Sequence, residues 1–191
     1  MGRKSLKGGE FERNFSKLLS LWYTEGERDD IFWRTSQSGG RATQRRKSQV
    51  STANSAGDVG YLDDLGKPFV DCTLVELKRG YSDELDLLKI IDKPKNKRHT
   101  LLIWWAKAID EAAQTGRDFV WLIIRRDFCE PAIVISNEMY YRVIKWNGKP
   151  NPDTLILTLS LTEEAGALKI MLLDSFLDWI DPEFFKVGAD D

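Results

Sequence analysis

A chain of 191 residues, 42% hydrophobic, with 28 Lys+Arg against 30 Asp+Glu, is long enough for one sizeable core and too short for two ordinary domains. No apolar run approaches the ~20 residues of a membrane span, and Met1 to Lys7 lack the apolar stretch of a signal peptide, so a cytoplasmic protein with no membrane partner is expected. A single histidine, His99, excludes multi-histidine metal chemistry, and two cysteines, Cys72 and Cys129, give neither a zinc-ligand pattern nor a disulfide framework.

In chain order, Phe11, Phe15, Leu18, Leu19 and Trp22 recur at helical spacing and predict an amphipathic helix over residues 11–24. Ile31 to Thr35 reads as a short strand, followed by a Ser-, Gly-, Thr-, Gln- and Arg-rich loop from Ser36 to Gly57 that is long for a compact domain. The turn signals of Asp63-Asp64-Leu65-Gly66-Lys67-Pro68 predict a hairpin into a strand that runs from Phe69 to Lys78. Cys72 then falls on a core strand, and both cysteines are expected to be buried free thiols. A helix is expected from Ser82, with Pro94 just beyond its end, and His99 in the polar stretch that follows is expected to be exposed.

Leu101 to Gln114 predicts the next helix, stopped by Gly116, with Leu101, Trp104, Trp105, Ala108, Ile109 and Ala112 as its buried stripe. That stripe assigns Trp104 and Trp105 to the core rather than to base stacking. Phe119 to Ile124 and Ala132 to Ile135 are continuous apolar runs and read as buried strands; a strand, a helix and a strand in succession make a parallel pair plausible. A helix over Asn137 to Val143, a strand over Thr154 to Leu159 and an apolar segment from Leu168 to Ile180 complete an α/β arrangement, a mixed central sheet flanked by helices. No repeat or linker divides it, so residues 1–191 are expected to form one domain.

The chemistry concentrates on Asp58 and the strand Thr73-Leu74-Val75-Glu76-Leu77-Lys78. Side chains alternate along a strand, so Glu76 and Lys78 share a face, where a carboxylate and an ammonium can serve one metal-bound water. The same parity puts Asp71 on the opposite face and leaves Asp58, across the turn, as the second carboxylate. Leu74, Val75 and Leu77 suggest a central strand covered on both faces, where charges are costly unless paired or metal-bound. These are the parts of a metal-dependent nuclease. Oxygen ligands favour Mg2+, for which Mn2+ can substitute, held by Asp58, Glu76 and the Leu77 backbone carbonyl; Lys78 would orient the attacking water, help deprotonate it, or offset developing charge.

Glu12 in Gly8-Gly9-Glu10-Phe11-Glu12-Arg13, then Ser38-Gly39-Gly40, Gly57-Asp58-Val59 and Val75-Glu76-Leu77-Lys78 resemble the ordered motifs of the PD-(D/E)XK nuclease superfamily. Within it they are most similar to Holliday-junction-resolvase-like and phage-type endonucleases, over residues 8–126. One departure is Gly57, where the motif usually has proline. The resemblance implies a restriction-endonuclease-like fold and an endonuclease of DNA, with branched DNA as a candidate substrate and recombination as its setting. It also implies a bacterial or phage-infected host cell, a homodimer if two strands of a junction are cut, and no nucleotide cofactor. Glu12 becomes a further catalytic acid, in the outer shell or on a second ion, with Glu10 as the alternative. Lys107 falls where similar nucleases often place a glutamine or lysine facing the site; the other possibility is a solvated helix lysine.

Charge is divided along the chain: residues 1–100 carry +4 and residues 101–191 carry −6. No acid lies between Ile31 and Gly57, where Arg34, Arg41, Arg45, Arg46 and Lys47 fall. Duplex DNA presents about one negative charge per 1.7 Å, so such a local stripe can capture it on a weakly acidic protein. These residues, with the Ser38 backbone and Lys107, are the expected DNA contacts. The alternative from another class is a non-catalytic DNA-binding or assembly module on the same fold.

Overall fold

The computed structural model describes residues 3–35, 56–81, 85, 87–92, 99–148, 154–160 and 166–186. Its elements are α1 (Arg3–Tyr23), β1 (Phe32–Arg34), β2 (Val59–Tyr61), a 3-10 turn (Asp64–Gly66), α2 (Lys67–Cys72), β3 (Thr73–Arg79), α3 (Leu87–Asp92) and α4 (Thr100–Thr115). There follow β4 (Phe119–Arg125), β5 (Ala132–Ser136), α5 (Asn137–Asn147), β6 (Leu157–Ser160), β7 (Ala167–Leu172), α6 (Leu173–Trp179) and α7 (Glu183–Lys186). Five strands form a mixed sheet in the order β3-β4-β5-β7-β6, in which β3 and β4 are parallel and the other pairs antiparallel. β1 and β2 make a separate antiparallel ribbon.

The continuous apolar runs have a simple cause: alternate residues serve different cores. Phe119, Trp121 and Ile123 of β4, with Ile133 and Ile135 of β5, pack beneath α1, α5 and α6. Val120, Leu122 and Val134 pack on the other face against Leu101, Trp105, Ala108 and Ala112 of α4. A strand buried on both faces needs no polar alternation. The first core is rich in aromatic rings around the fully buried Phe69, which meets Trp121 at 5.0 Å and Phe185 at 4.9 Å between centroids. Edge-to-face contacts of this kind add about 0.5–1.5 kcal/mol each to the area they bury.

The segment before β3 departs from the sequence expectation. There is no hairpin at residues 63–68; the Asp63 side chain instead accepts the Leu65 N–H at 2.9 Å and starts the 3-10 turn. Pro68 in the first turn then begins α2, where its fixed φ and missing N–H are tolerated. The strand starts at Thr73 rather than Phe69. Asp71 is therefore an exposed helix residue paired with Lys67, not an acid on the far face of a strand. Cys72 ends that helix half-buried, with burial pushing its thiol up to about 11, and Cys129 is also only half-buried. β3 lies at one edge of the five-stranded sheet, although both its faces are covered as expected.

Other boundaries differ from the sequence expectation. α1 begins at Arg3, well before residue 11, and runs through Gly8 and Gly9. The helix start expected at Ser82 lies outside the described residues, and α3 is described over Leu87–Asp92; β6 is shifted to Leu157–Ser160, and the segment from Leu168 to Ile180 splits into the end of β7 and α6. His99 is buried, at the N-terminal cap position of α4, and Ile109 is exposed on that helix. Among the described residues no helix is long and apolar enough to cross a membrane.

Candidate active site

Three residues that precede β2 run along the outer edge of β3 and carry Asp58 to Glu76. The Asp58 N–H donates to the Val75 carbonyl at 2.8 Å, and the Leu77 N–H donates to Asp58 Oδ2 at 2.8 Å. Extended residues project their N–H and C=O to one side, so the Leu77 carbonyl shares the edge that Asp58 occupies. Glu76 and Lys78 stand on the face that α4 covers, as an ion pair. Asp58, Glu76, Lys78 and the Leu77 backbone are thus brought together at this edge.

The short run Ala56-Gly57-Asp58 is held through five backbone polar groups. Arg117 Nη1 donates to the Ala56 carbonyl at 3.0 Å, and the Gly57 N–H donates to Glu111 Oε1 at 3.0 Å. Thr35 Oγ1 donates to the Gly57 carbonyl at 2.7 Å, and the Thr35 N–H to the Asp58 carbonyl at 3.0 Å. Gly57 is required by two independent constraints. Its φ is +68°, and a Cβ there would lie 2.6 Å from the Val75 carbonyl oxygen. Thr35, Glu111 and Arg117 carry no motif signature, and the sequence gives no signal for them beyond their being polar.

Electrostatically the site is short of positive charge. Asp58 is only 6% exposed, and burial, followed by the charge of Glu76, pushes its carboxyl up to about 8. Burial opposes the charge on Lys78, but Glu76, with Asp58 and Tyr81 behind it, outweighs that cost and holds the ammonium above its ordinary range. Lys78 therefore carries its charge at neutral pH beside the two carboxylates. Two carboxylates beside a carbonyl, one of them buried, form an oxygen donor set that a divalent cation would satisfy. Among the described residues no three or more His, Cys, Asp or Glu side chains gather around one point.

Glu12 reaches the neighbourhood from α1, on the opposite face of β3 from Glu76, and its charge still contributes to the rise at Asp58. Its carboxylate holds Arg34 Nε at 3.0 Å. Arg34 is thus engaged by an acid within the protein, where the sequence assigned it to phosphate. Gly9 makes room for that guanidinium, since a Cβ would lie 2.5 Å from Arg34 Nη1. Glu10, the alternative acid, pairs with Arg79 at 3.5 Å. Lys107 is exposed one helical turn from both Trp104, which faces Lys78, and Glu111, which holds Gly57, so it lies on the side of α4 that borders the site. Ser38, Arg41, Arg45, Arg46 and Lys47 lie outside the described residues.

A mixed sheet flanked by helices, with Asp58 against the edge of a Glu-x-Lys strand, defines a PD-(D/E)XK nuclease fold of the restriction-endonuclease-like class. The chain belongs to the family described as "Phage putative PDDEXK endonuclease", whose model matches residues 3–186. No curated protein and no solved structure matches it. Membership makes this a nuclease-family chain with DNA as the implied substrate, in a superfamily whose members usually use divalent metals.

Proposed function

We propose that the protein is an Mg2+-dependent DNA endonuclease, with Mn2+ able to substitute, in which Asp58, Glu76 and the Leu77 carbonyl hold the metal. The observation that carries this is Asp58: a carboxyl buried at the strand edge, fixed by the Leu77 N–H, and raised by burial and then by Glu76, with Lys78 offsetting only part of that rise. The bound metal would supply Lewis acidity toward the phosphoryl oxygen and a more acidic water. The chain supplies the rest. Lys78, held as an ammonium, offsets negative charge that develops on the phosphoryl oxygens as the water oxygen bonds to phosphorus and the ester oxygen leaves with a proton. Glu12 acts from the other face of β3, through Asp58 or a water, and Lys107 offers a cation to a neighbouring phosphate.

Cleavage of linear and branched DNA with Mg2+ and with EDTA tests the proposal. Cutting should require the metal, and Lys78→Met should lower the single-turnover rate at saturating enzyme by about a hundredfold while affinity changes little, because its effect is on the transition state. An unchanged single-turnover rate with weaker binding would move Lys78 to phosphate contact. No cleavage of any substrate with either metal would favour the binding or assembly module. Selectivity for Holliday-type junctions and a homodimer rest on the motif resemblance, and a panel of DNA structures with sedimentation of the free protein tests both.

Arg41, Arg45, Arg46 and Lys47, with the Ser38 backbone, are proposed to hold phosphates of the same DNA. Replacing Arg41, Arg45 and Arg46 together by alanine should flatten the plot of log affinity against log salt by roughly 0.9 per lost phosphate contact on duplex. An undiminished slope would remove the loop from the DNA surface.

A further inference from the structure

At the far end of β3 from the aromatic core, the chain turns through Gly80 and Tyr81, both at positive φ, +100° and +41°. The turn is pinned at both sides, by the Gly80 N–H on the Arg125 carbonyl at 3.0 Å and the Leu85 N–H on the Tyr81 carbonyl at 3.1 Å. Positive φ is uncommon for an aromatic residue and costs free energy, so this position is held against local preference. The result is an aromatic surface beside the active lysine. The Tyr81 ring meets Trp104 edge-to-face with centroids 4.8 Å apart, and Lys78 Nζ lies 6.0 Å from the centre of the Trp104 ring. Trp104 is half-buried, while Tyr81 remains 44% exposed, unlike the buried rings around Phe69.

We propose that Tyr81, backed by Trp104, is a stacking site for an unpaired nucleobase of the strand whose phosphate Lys78 faces. This deepens the nuclease proposal and rests on it for the position of the phosphate. An aromatic face accepts any base, because every base has a π-face. Within an intact duplex both faces of each base are covered by neighbours, so only a base out of the stack can reach Tyr81. Lys78 and the exposed Lys107 flank the rings with positive charge that suits the phosphates on either side of such a base. The substrate class that follows is DNA with a single-stranded or frayed nucleotide at the cut: flaps, gaps, mismatches or unpaired branch points. Trp104, assigned to the core by its place in the helical stripe, has this second role as a backing ring.

The test uses oligonucleotides that carry 2-aminopurine, whose fluorescence falls when it stacks, in a single strand, at an unpaired position of a duplex, and in the matched fully paired duplex. Binding to the full-length protein is read by anisotropy in EDTA, so that nothing depends on cutting. The unpaired probes should be quenched on the wild-type protein. Tyr81→Leu should abolish the quenching and weaken single-strand binding about tenfold, the size of one stacked base, while duplex affinity stays within about twofold. Tyr81→Phe should behave as wild type. No quenching on the bound wild-type protein overturns the proposal, whatever the variants do, and so does an equal loss on single strand and duplex in Tyr81→Leu. Stacking without Mg2+-dependent cleavage would sink the nuclease proposal and leave this one standing; cleavage without stacking would do the reverse.

Discussion

Asp58→Asn is expected to abolish metal-dependent cleavage and, in the same protein, to raise the stability of the metal-free fold at pH 8. Both effects come from one burial. Desolvation and Glu76 hold the Asp58 carboxyl at about 8 against an ordinary value of 3.8, so the folded protein keeps a proton that the unfolded chain releases. The contribution is whole below about pH 4 and is lost as pH rises through the folded value near 8. Asparagine retains an oxygen for the Leu77 N–H and has nothing to ionise. The variant's advantage should therefore be absent at pH 4, grow up to pH 8 and level off above it. A gain of about 2 kcal/mol at pH 8 is expected, below the ceiling of roughly 1.4 kcal/mol for each tenfold rise in proton affinity, because asparagine must bury an amide N–H2 in the same place. Melts in EDTA across that range, beside cleavage assays in Mg2+, check it. An advantage that does not grow with pH would mean that the carboxyl is not raised; cleavage at the wild-type rate would mean that it is not a ligand.

Gly57→Ala should be the most damaging methyl group that can be added near the site. At φ +68° an L-residue costs roughly 1–2 kcal/mol, and the new Cβ would sit 2.6 Å from the Val75 carbonyl that accepts the Asp58 N–H. Either that bond or the position of Asp58 must give way. A total loss of about 3 kcal/mol in denaturant unfolding, with cleavage reduced at least a hundredfold, is expected. Gly148→Ala serves as the comparison, since its φ is +72° with nothing within 4 Å of the added atom. It should show the backbone cost alone and cut normally. Equal losses in the two variants would show that the clash contributes nothing.

What the sequence made legible follows from the range of the forces involved. β4 and β5 stood out because their apolar runs are continuous, and α4 because its period and Gly116 are local features. Asp58, Glu76 and Lys78 were accessible for the same reason: two of them share a strand and the third belongs to a motif. The segment 63–72 failed because Asp-Asp-Leu-Gly-Lys-Pro suits a hairpin turn and a helix start equally well. Phe69, at the centre of the aromatic core, decides for the helix through contacts with Trp121 and Phe185 that no local pattern contains. Glu111 and Arg117 were invisible because they act across 54 and 61 residues on backbone atoms, which leave no mark in the side-chain pattern. Trp104 packs on the core of α4 as its period indicates but only half-buried, because helical period separates inside from outside and not the centre of a core from its rim.

The hydrogen bond from Gly57 to Glu111 bears on how such a site changes over time. Proline, the residue more usual before the motif aspartate, fixes φ near −65° and has no N–H, so it can adopt neither the +68° backbone of Gly57 nor its bond to Glu111. Positions 57 and 111 are therefore tied, although they belong to different elements. A descendant that acquired proline at 57 would leave the Glu111 carboxylate without its amide and the edge segment without its curve. One that lost the acid at 111 would leave the Gly57 N–H without its carboxylate, with Thr35 alone on the Gly57 carbonyl. Change at either site thus alters what the other must supply, so the two are expected to drift as a pair across relatives, and a search keyed to the local motif would see half of that inheritance.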